Sequence, residues 1–229
     1  MPGELQVNHR VHRSRDLVLE NGRRHSSRPG DASRYGLEHK MSDEADDWQR
    51  VWDARMAGLE SHFGKSDDTH LHGTIPFEFG LEVGGSPDVV TFSKYTAGKF
   101  YVTADLIGSE QKPNSHGNYE LAVVHEGADD WGVNIICRLA YYTLDSVIDH
   151  GQTMDIGEAA PEGSTIAALL FKRIADFEHL GKPANVICCI GITQDELDFA
   201  FEHGTAELFQ RLPVDYLLTD LRRKSHLKP

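Results

Sequence analysis

Four residues of this 229-residue chain, Asp105, His125, Asp130 and Asp155, carry the groups that acid–base hydrolysis needs. A carboxylate and a histidine move protons together when both reach one substrate atom. His125-Glu126 and Asp129-Asp130-Trp131 are neighbours along the chain, whereas Asp105 and Asp155 would have to fold onto them. A turn leading into a helix capped by Asp129 or Asp130 needs only local structure, and we expect that arrangement. His70-x-His72, near His62, Asp67 and Asp68, is the one local cluster resembling metal ligands. Two histidines at that spacing share a metal only in an extended segment, and no third strong ligand motif anchors them. A solvated loop is expected there, with no metal. Cys137, Cys188 and Cys189 sit inside apolar runs and read as buried, reduced thiols. There is no nucleophile elbow, Rossmann fingerprint, phosphate-cradling loop or paired zinc motif. The expectation is a non-enzymatic chain without a cofactor; an uncharacterised hydrolase or metal-dependent enzyme is the alternative.

Binding chemistry is better represented. Trp, Tyr and Arg are over-represented at interaction hot spots. Trp131, at the junction before a predicted helix, and Arg138 and Tyr142 on that helix form, with Asp105 and Asp155, the candidate partner-binding set. Phe199 and Phe209 fall off the apolar stripe of the last predicted helix, so they mark either an interface or a helix buried on two sides.

The formal net charge is −13. Residues 1–40 hold eight Lys/Arg against five Asp/Glu, so the acidity belongs to the rest of the chain. An acidic body repels nucleic acid and anionic membranes and suits a basic protein partner. No apolar run approaches the roughly 20 residues that cross a bilayer, and the Arg-rich start has no signal-peptide core. A cytoplasmic protein is expected.

The elements that position these residues follow from periodicity. Residues 1–40 show no sustained period and read as a disordered extension, with Met41 a plausible native start. Residues 41–215 form the expected domain and 216–229 a C-terminal tail, whose last residues, LRRKSHLKP, read as frayed. A helix is predicted over Asp46–Phe63, capped by Ser42 or Asp43, with Trp48, Trp52, Leu59 and Phe63 on one face. FEFGLEV, before Gly84-Gly85, alternates like a strand. Further strands are predicted at Val89–Tyr95, Lys99–Ile107 and Tyr119–His125, the first two joined by a hairpin at Ala97-Gly98. A helix over Val133–Asp149 presents Ile135, Ile136, Leu139, Ala140, Leu144 and Val147 as a wide apolar arc. Ser164–Phe171 fits helix or strand by period, and its Ala-rich composition favours helix. Ala184–Ile192, a continuous β-branched run, reads as a buried strand. Thr193-Gln-Asp-Glu196 is a capping box opening a helix with Leu197, Phe201, Gly204, Leu208 and Leu212 on one stripe.

YVTADLIG (101–108), YELAVVHEGADDWG (119–132), NIICRLAYYTL (134–144) and TMDIG (153–157), in that order, resemble the suppressor-of-fused family in a compact, single-domain bacterial form. The resemblance runs from about Trp48 to Leu212 and continues through an LLF strand and ICCIGIT. It implies an α+β fold, a mixed β-sheet flanked by helices in a suppressor-of-fused-like sandwich, and makes Ser164–Phe171 a strand. It also implies a protein-binding role, sequestering or regulating a partner. Animal relatives clamp a peptide strand between two lobes, and only the first lobe is represented here. For bacterial members it implies a second role, immunity against a toxin, and the acidic body fits a basic one.

Overall fold

The computed structural model describes residues 32–72, 87–108, 111–127 and 129–227, with the backbone alone along 32–46. FEFGLEV and the first 31 residues lie outside the described residues.

A mixed sheet forms the middle layer. Its strands are β1 (His70–His72), β2 (Asp88–Thr91), β3 (Lys99–Thr103), β4 (Asn118–His125), β5 (Thr153–Asp155), β6 (Ile166–His179), β7 (Lys182–Thr193) and β8 (Leu218–Thr219). The order is β1-β2-β3-β4-β7-β6-β5, antiparallel except where β4 meets β7 in parallel. β8 also runs parallel to β4, at Val124 and His125, beyond the point where β7 pairs with it. There the Thr219 hydroxyl accepts the Gly191 amide of β7 at 2.9 Å. A Cβ on Gly191 would stand 2.5 Å from the Thr219 methyl, so only glycine admits β8 so closely.

Strand periodicity sorts the side chains into two faces. Tyr119, Leu121 and Val123 of β4, Leu169 and Phe171 of β6, and Ile187 and Cys189 of β7 meet α2 (Trp131–Tyr142) in one core. On the other face Ala122, Val124, Phe100 and Val102 receive Leu59 and Phe63 of α1 (Ala32–Phe63). Further along that face, Ala168, Leu170, Cys188 and Ile190 meet α3 (Gln194–His203) and α4 (Thr205–Arg211). All three cysteines are free and buried. Among the described residues no helix is long and apolar enough to cross a membrane.

Several boundaries move, each for a local reason. α1 begins at Ala32 rather than Asp46, so residues 32–40 are helical rather than irregular, and Ser42 and Asp43 lie inside the helix instead of capping it. Ala, Leu, Glu and Lys in this stretch are good helix formers. His70-x-His72 is an edge strand on β2 rather than a loop, and His70 lies against the Trp52 ring, centroids 5.2 Å apart. β2 ends at Thr91, where the chain turns, with Tyr95 N donating to Phe92 O. β3 stops at Thr103 because the amides of Leu106 and Ile107 turn inward to a carboxylate. α2 stops at Tyr142 rather than Asp149: the Ile148 amide is drawn away to the Tyr119 hydroxyl of β4 at 2.8 Å, and Val147 is exposed.

The Ala-rich run is strand from Ile166 onward, since β6 pairs with β7 at twelve register positions between Ile166 and His179, which outweighs helix propensity. β6 and β7 join through Leu180-Gly181, both with positive φ (49° and 79°), the geometry of a tight hairpin whose twist matches its strands. The capping box at Thr193 forms, with Glu196 accepting the Thr193 amide at 2.9 Å. The helix it opens ends before Gly204 (φ 90°), and within it Leu197 and Ala200 are buried while Phe201, expected on the same stripe, is 74% exposed. Phe199 and Phe209 are half-buried against the α3–α4 core instead. The tail carries β8, and within the run read as frayed Arg223 pairs with buried Glu196 at 2.5 Å.

One glycine position is open to a direct test. Gly117 has φ 119°, and a Cβ there would lie 2.3 Å from the Pro183 carbonyl oxygen. Gly117→Ala should lower stability by about 2 kcal/mol or more. An unchanged thermal midpoint would show that this loop yields without cost.

Candidate functional site

β4 delivers His125 to the sheet's end, and the next five residues turn into α2. His125 is fully buried, its Nε2 2.9 Å from Asp129 Oδ1 and its Nδ1 3.3 Å from the Thr219 carbonyl. The same Asp129 oxygen accepts the Trp131 amide at 3.0 Å. Asp129 therefore caps the helix with its side chain, while Asp130, at the cap position, makes no such bond. Desolvation opposes ionisation of Asp129, but the hydrogen bonds from the Trp131 amide and His125 hold its carboxyl below the ordinary range. Burial, then the charges of Asp130 and Asp129, push the nearby Tyr101 hydroxyl up to about 12.

Trp131 is 8% exposed, and its indole N–H donates to the Ala159 carbonyl at 3.1 Å. That bond ties the start of α2 to the 3₁₀ turn Gly157–Ala159 that follows β5. Between them opens a cleft of about 570 Å³. One wall is Trp131, Asn134 and Arg138, one helical turn apart along α2; the other is Ala159, Ala160 and Pro161. Asp129 and Asp130 stand at its mouth.

The predicted site residues divide accordingly. Trp131 and Arg138 line this cleft. Tyr142 is exposed at the end of α2, beyond the cleft lining. Asp155 lies outside the lining and accepts the Gly157 amide at 2.7 Å, which holds the turn that forms the opposite wall. Asp105 belongs to a different network: it accepts the Asp88 amide at 2.6 Å and lies 3.7 Å from Arg55. Of the four residues of the hydrolase alternative, only Asp130 lines the cleft. Among the described residues no group of three or more His, Cys, Asp or Glu is placed to hold a metal ion.

Sequence reasoning missed the buried ion pair of Arg55 with Glu120, 3.3 Å apart. Glu120 is 0% exposed and accepts from the Leu106 and Ile107 amides and the Thr103 hydroxyl. Arg55 donates to the Ala104 and Ile107 carbonyls. Both residues interrupt apolar patterns, Arg55 between Trp52 and Leu59 and Glu120 within YELAVV, and that interruption was the available signal.

The architecture is a mixed-sheet α+β sandwich with an open cleft where its central strand turns into the covering helix. A sequence model of the family described as suppressor of fused protein (SUFU) matches residues 84–224, more than half the chain. The chain belongs to the suppressor of fused family. Similar solved structures share this fold. Drosophila Suppressor of Fused matches with a TM-score of 0.60 at 12% identity, over 78% of this chain and 51% of that one. This chain thus spans about half the length of the fly protein. The structure described as the Sufu–Fu complex matches with a TM-score of 0.59 at 12% identity, covering 77% and 92%. A SUFU homolog from Neisseria gonorrhoeae FA 1090 matches with a TM-score of 0.54 at 18% identity, covering 79% and 99%. No curated protein matches the chain.

Proposed function

We propose that this chain is a non-enzymatic protein-binding domain that sequesters or regulates a protein partner in the bacterial cytoplasm. The observation that carries this reading is the cleft at the start of α2. A rigid Trp131 wall and an exposed Arg138 combine the side chains that dominate binding energy at interfaces. A relative seen in the Sufu–Fu complex supports the same class of role. Tyr142, exposed further along α2, extends the surface; Asp155 and Asp105 act behind it as supports of the fold.

A second reading, immunity against a basic toxin, is favoured by the net charge of −13. Steered association between opposite charges is fast and falls with salt.

The test is affinity capture of the partner from the source cell by the full chain, followed by titration of the purified pair. Arg138→Glu should weaken binding about tenfold or more while leaving the thermal midpoint in place. Equal affinity of the variant would remove this cleft as the partner site. A toxin as the captured partner selects immunity, and a regulator selects the adaptor role.

A further inference from the structure

The cleft beside Trp131 does not end at Asp129. Beyond Asp129 and Pro161 lies a second cleft of about 260 Å³, bounded by Glu126, Glu162, Asp220 and Arg222. Asp129 and Pro161 line both, so the two meet across a shared divide. We infer that they form one trough, and that it seats an extended segment of a protein partner with an Arg or Lys side chain placed at Asp129. This inference rests on the protein-binding reading and adds the partner's chemistry.

The argument is one of shape and charge together. Five carboxylates line the two clefts, Asp129, Asp130, Glu126, Glu162 and Asp220, against Arg138 in the first and Arg222 in the second. The lining of the trough is anionic on balance. Asp129 is 57% exposed, and its donors from Trp131 and His125 keep it ionised. A donated guanidinium or ammonium meets a carboxylate that is already oriented, so little ordering is lost on binding. His125, buried behind Asp129 and held by the β8 carbonyl of Thr219, is the positioning residue for that carboxylate. The apolar side of the first cleft, Trp131 against Ala160 and Pro161, takes a neighbouring aliphatic or aromatic side chain. Nucleic acid does not fit, because its phosphates would meet a lining with five carboxylates and two arginines.

The deciding experiment uses the full chain, uniformly labelled with nitrogen-15, titrated with a Gly-Ser peptide carrying a pair of arginines. Its counterpart with glutamates in their place is the control. The expected result is that amides on both sides of the divide, at Gly127, Trp131, Ser164 and Leu221, shift together with the arginine peptide and stay unmoved with the glutamate one. Asp130→Arg and Glu162→Arg should each weaken the arginine peptide about tenfold, whereas Glu207→Arg on α4 leaves it unchanged. Shifts confined to one cleft, shifts with either peptide, or equal weakening by Glu207→Arg would overturn the inference. If that happens while partner capture still depends on Arg138, the trough alone is lost. If Arg138 dependence is absent too, the protein-binding cleft is lost with it.

Discussion

Arg55→Met is expected to destabilise the fold by about 3–5 kcal/mol, because it removes the cation paired with Glu120 in the core and leaves that carboxyl either unpaired or forced to take up a proton. Glu120 is 0% exposed, and its carboxylate already takes the Leu106 and Ile107 amides and the Thr103 hydroxyl. Those bonds satisfy its lone pairs but not its charge; Arg55, 3.3 Å away, does that. Arg55 also donates to the Ala104 and Ile107 carbonyls, so its loss orphans two acceptors. Urea titration should show a lower midpoint with an unchanged slope. Adding Glu120→Gln to Arg55→Met should recover part of the loss, since the buried group is then neutral. Equal stability of the single and double variants would show that the charge is not the cause.

The same carboxyl sets a pH dependence. Burial, offset in part by Arg55, pushes Glu120 up to about 7 from the ordinary 4.5. The folded chain thus binds this proton more tightly than the unfolded one. Its contribution to stability is fully present below about 4.5 and is lost as pH rises through about 7. Glu196 has the opposite sign. Burial raises it, but hydrogen bonds from Arg223 and from the His226 and Thr193 amides lower it further, so its contribution is lost as pH falls. Glu120→Gln should therefore flatten the decline of stability between about pH 4.5 and 7 relative to the native chain. A parallel decline in both would assign the slope to other groups.

How much of this was legible in the sequence depends on the range of the forces involved. β4, β7, the capping box at Thr193 and the buried arc of Ile135, Ile136, Leu139 and Ala140 follow from local period and capping chemistry, and they are where those rules place them. The ends of elements were not legible, because distant partners set them. α2 stops where Tyr119 takes the Ile148 amide, and β3 stops where Glu120 takes Leu106 and Ile107. The Leu180-Gly181 hairpin was missed because leucine is a poor marker for a positive-φ position, although the glycine after it is a good one. Trp131 and Arg138 could each be named from residue type, the first at the junction and the second on the helix. Their cleft could not, since its opposite wall, Ala159–Pro161, arrives from beyond β5. Asp105 was chosen for its carboxylate, and only the fold reveals that it serves Arg55 and the Asp88 amide.

Leu139→Asp is expected to abolish the fold, and its neighbour supplies the control. Leu139 is 4% exposed and belongs to the core that α2 builds against β4, β6 and β7. Removing its side chain costs about 2–5 kcal/mol in lost burial and residual cavity. The aspartate then adds a carboxylate with no cation in that apolar cluster, a further cost of several kcal/mol or a forced proton uptake. The sum reaches the total stability of about 5–15 kcal/mol typical of a domain, so the variant should lack a cooperative unfolding transition and near-ultraviolet dichroism. Arg138, one residue earlier, points to the cleft and is exposed. Arg138→Glu should shift folding stability by no more than about 0.5 kcal/mol while it weakens the partner. Leu139→Ala, which deletes volume without charge, should fall between the two at about 3 kcal/mol. A cooperative transition for Leu139→Asp near the native midpoint would mean that α2 does not dock on the sheet. The cleft would then have no fixed Trp131 wall, and the binding role proposed for α2 would fail with it.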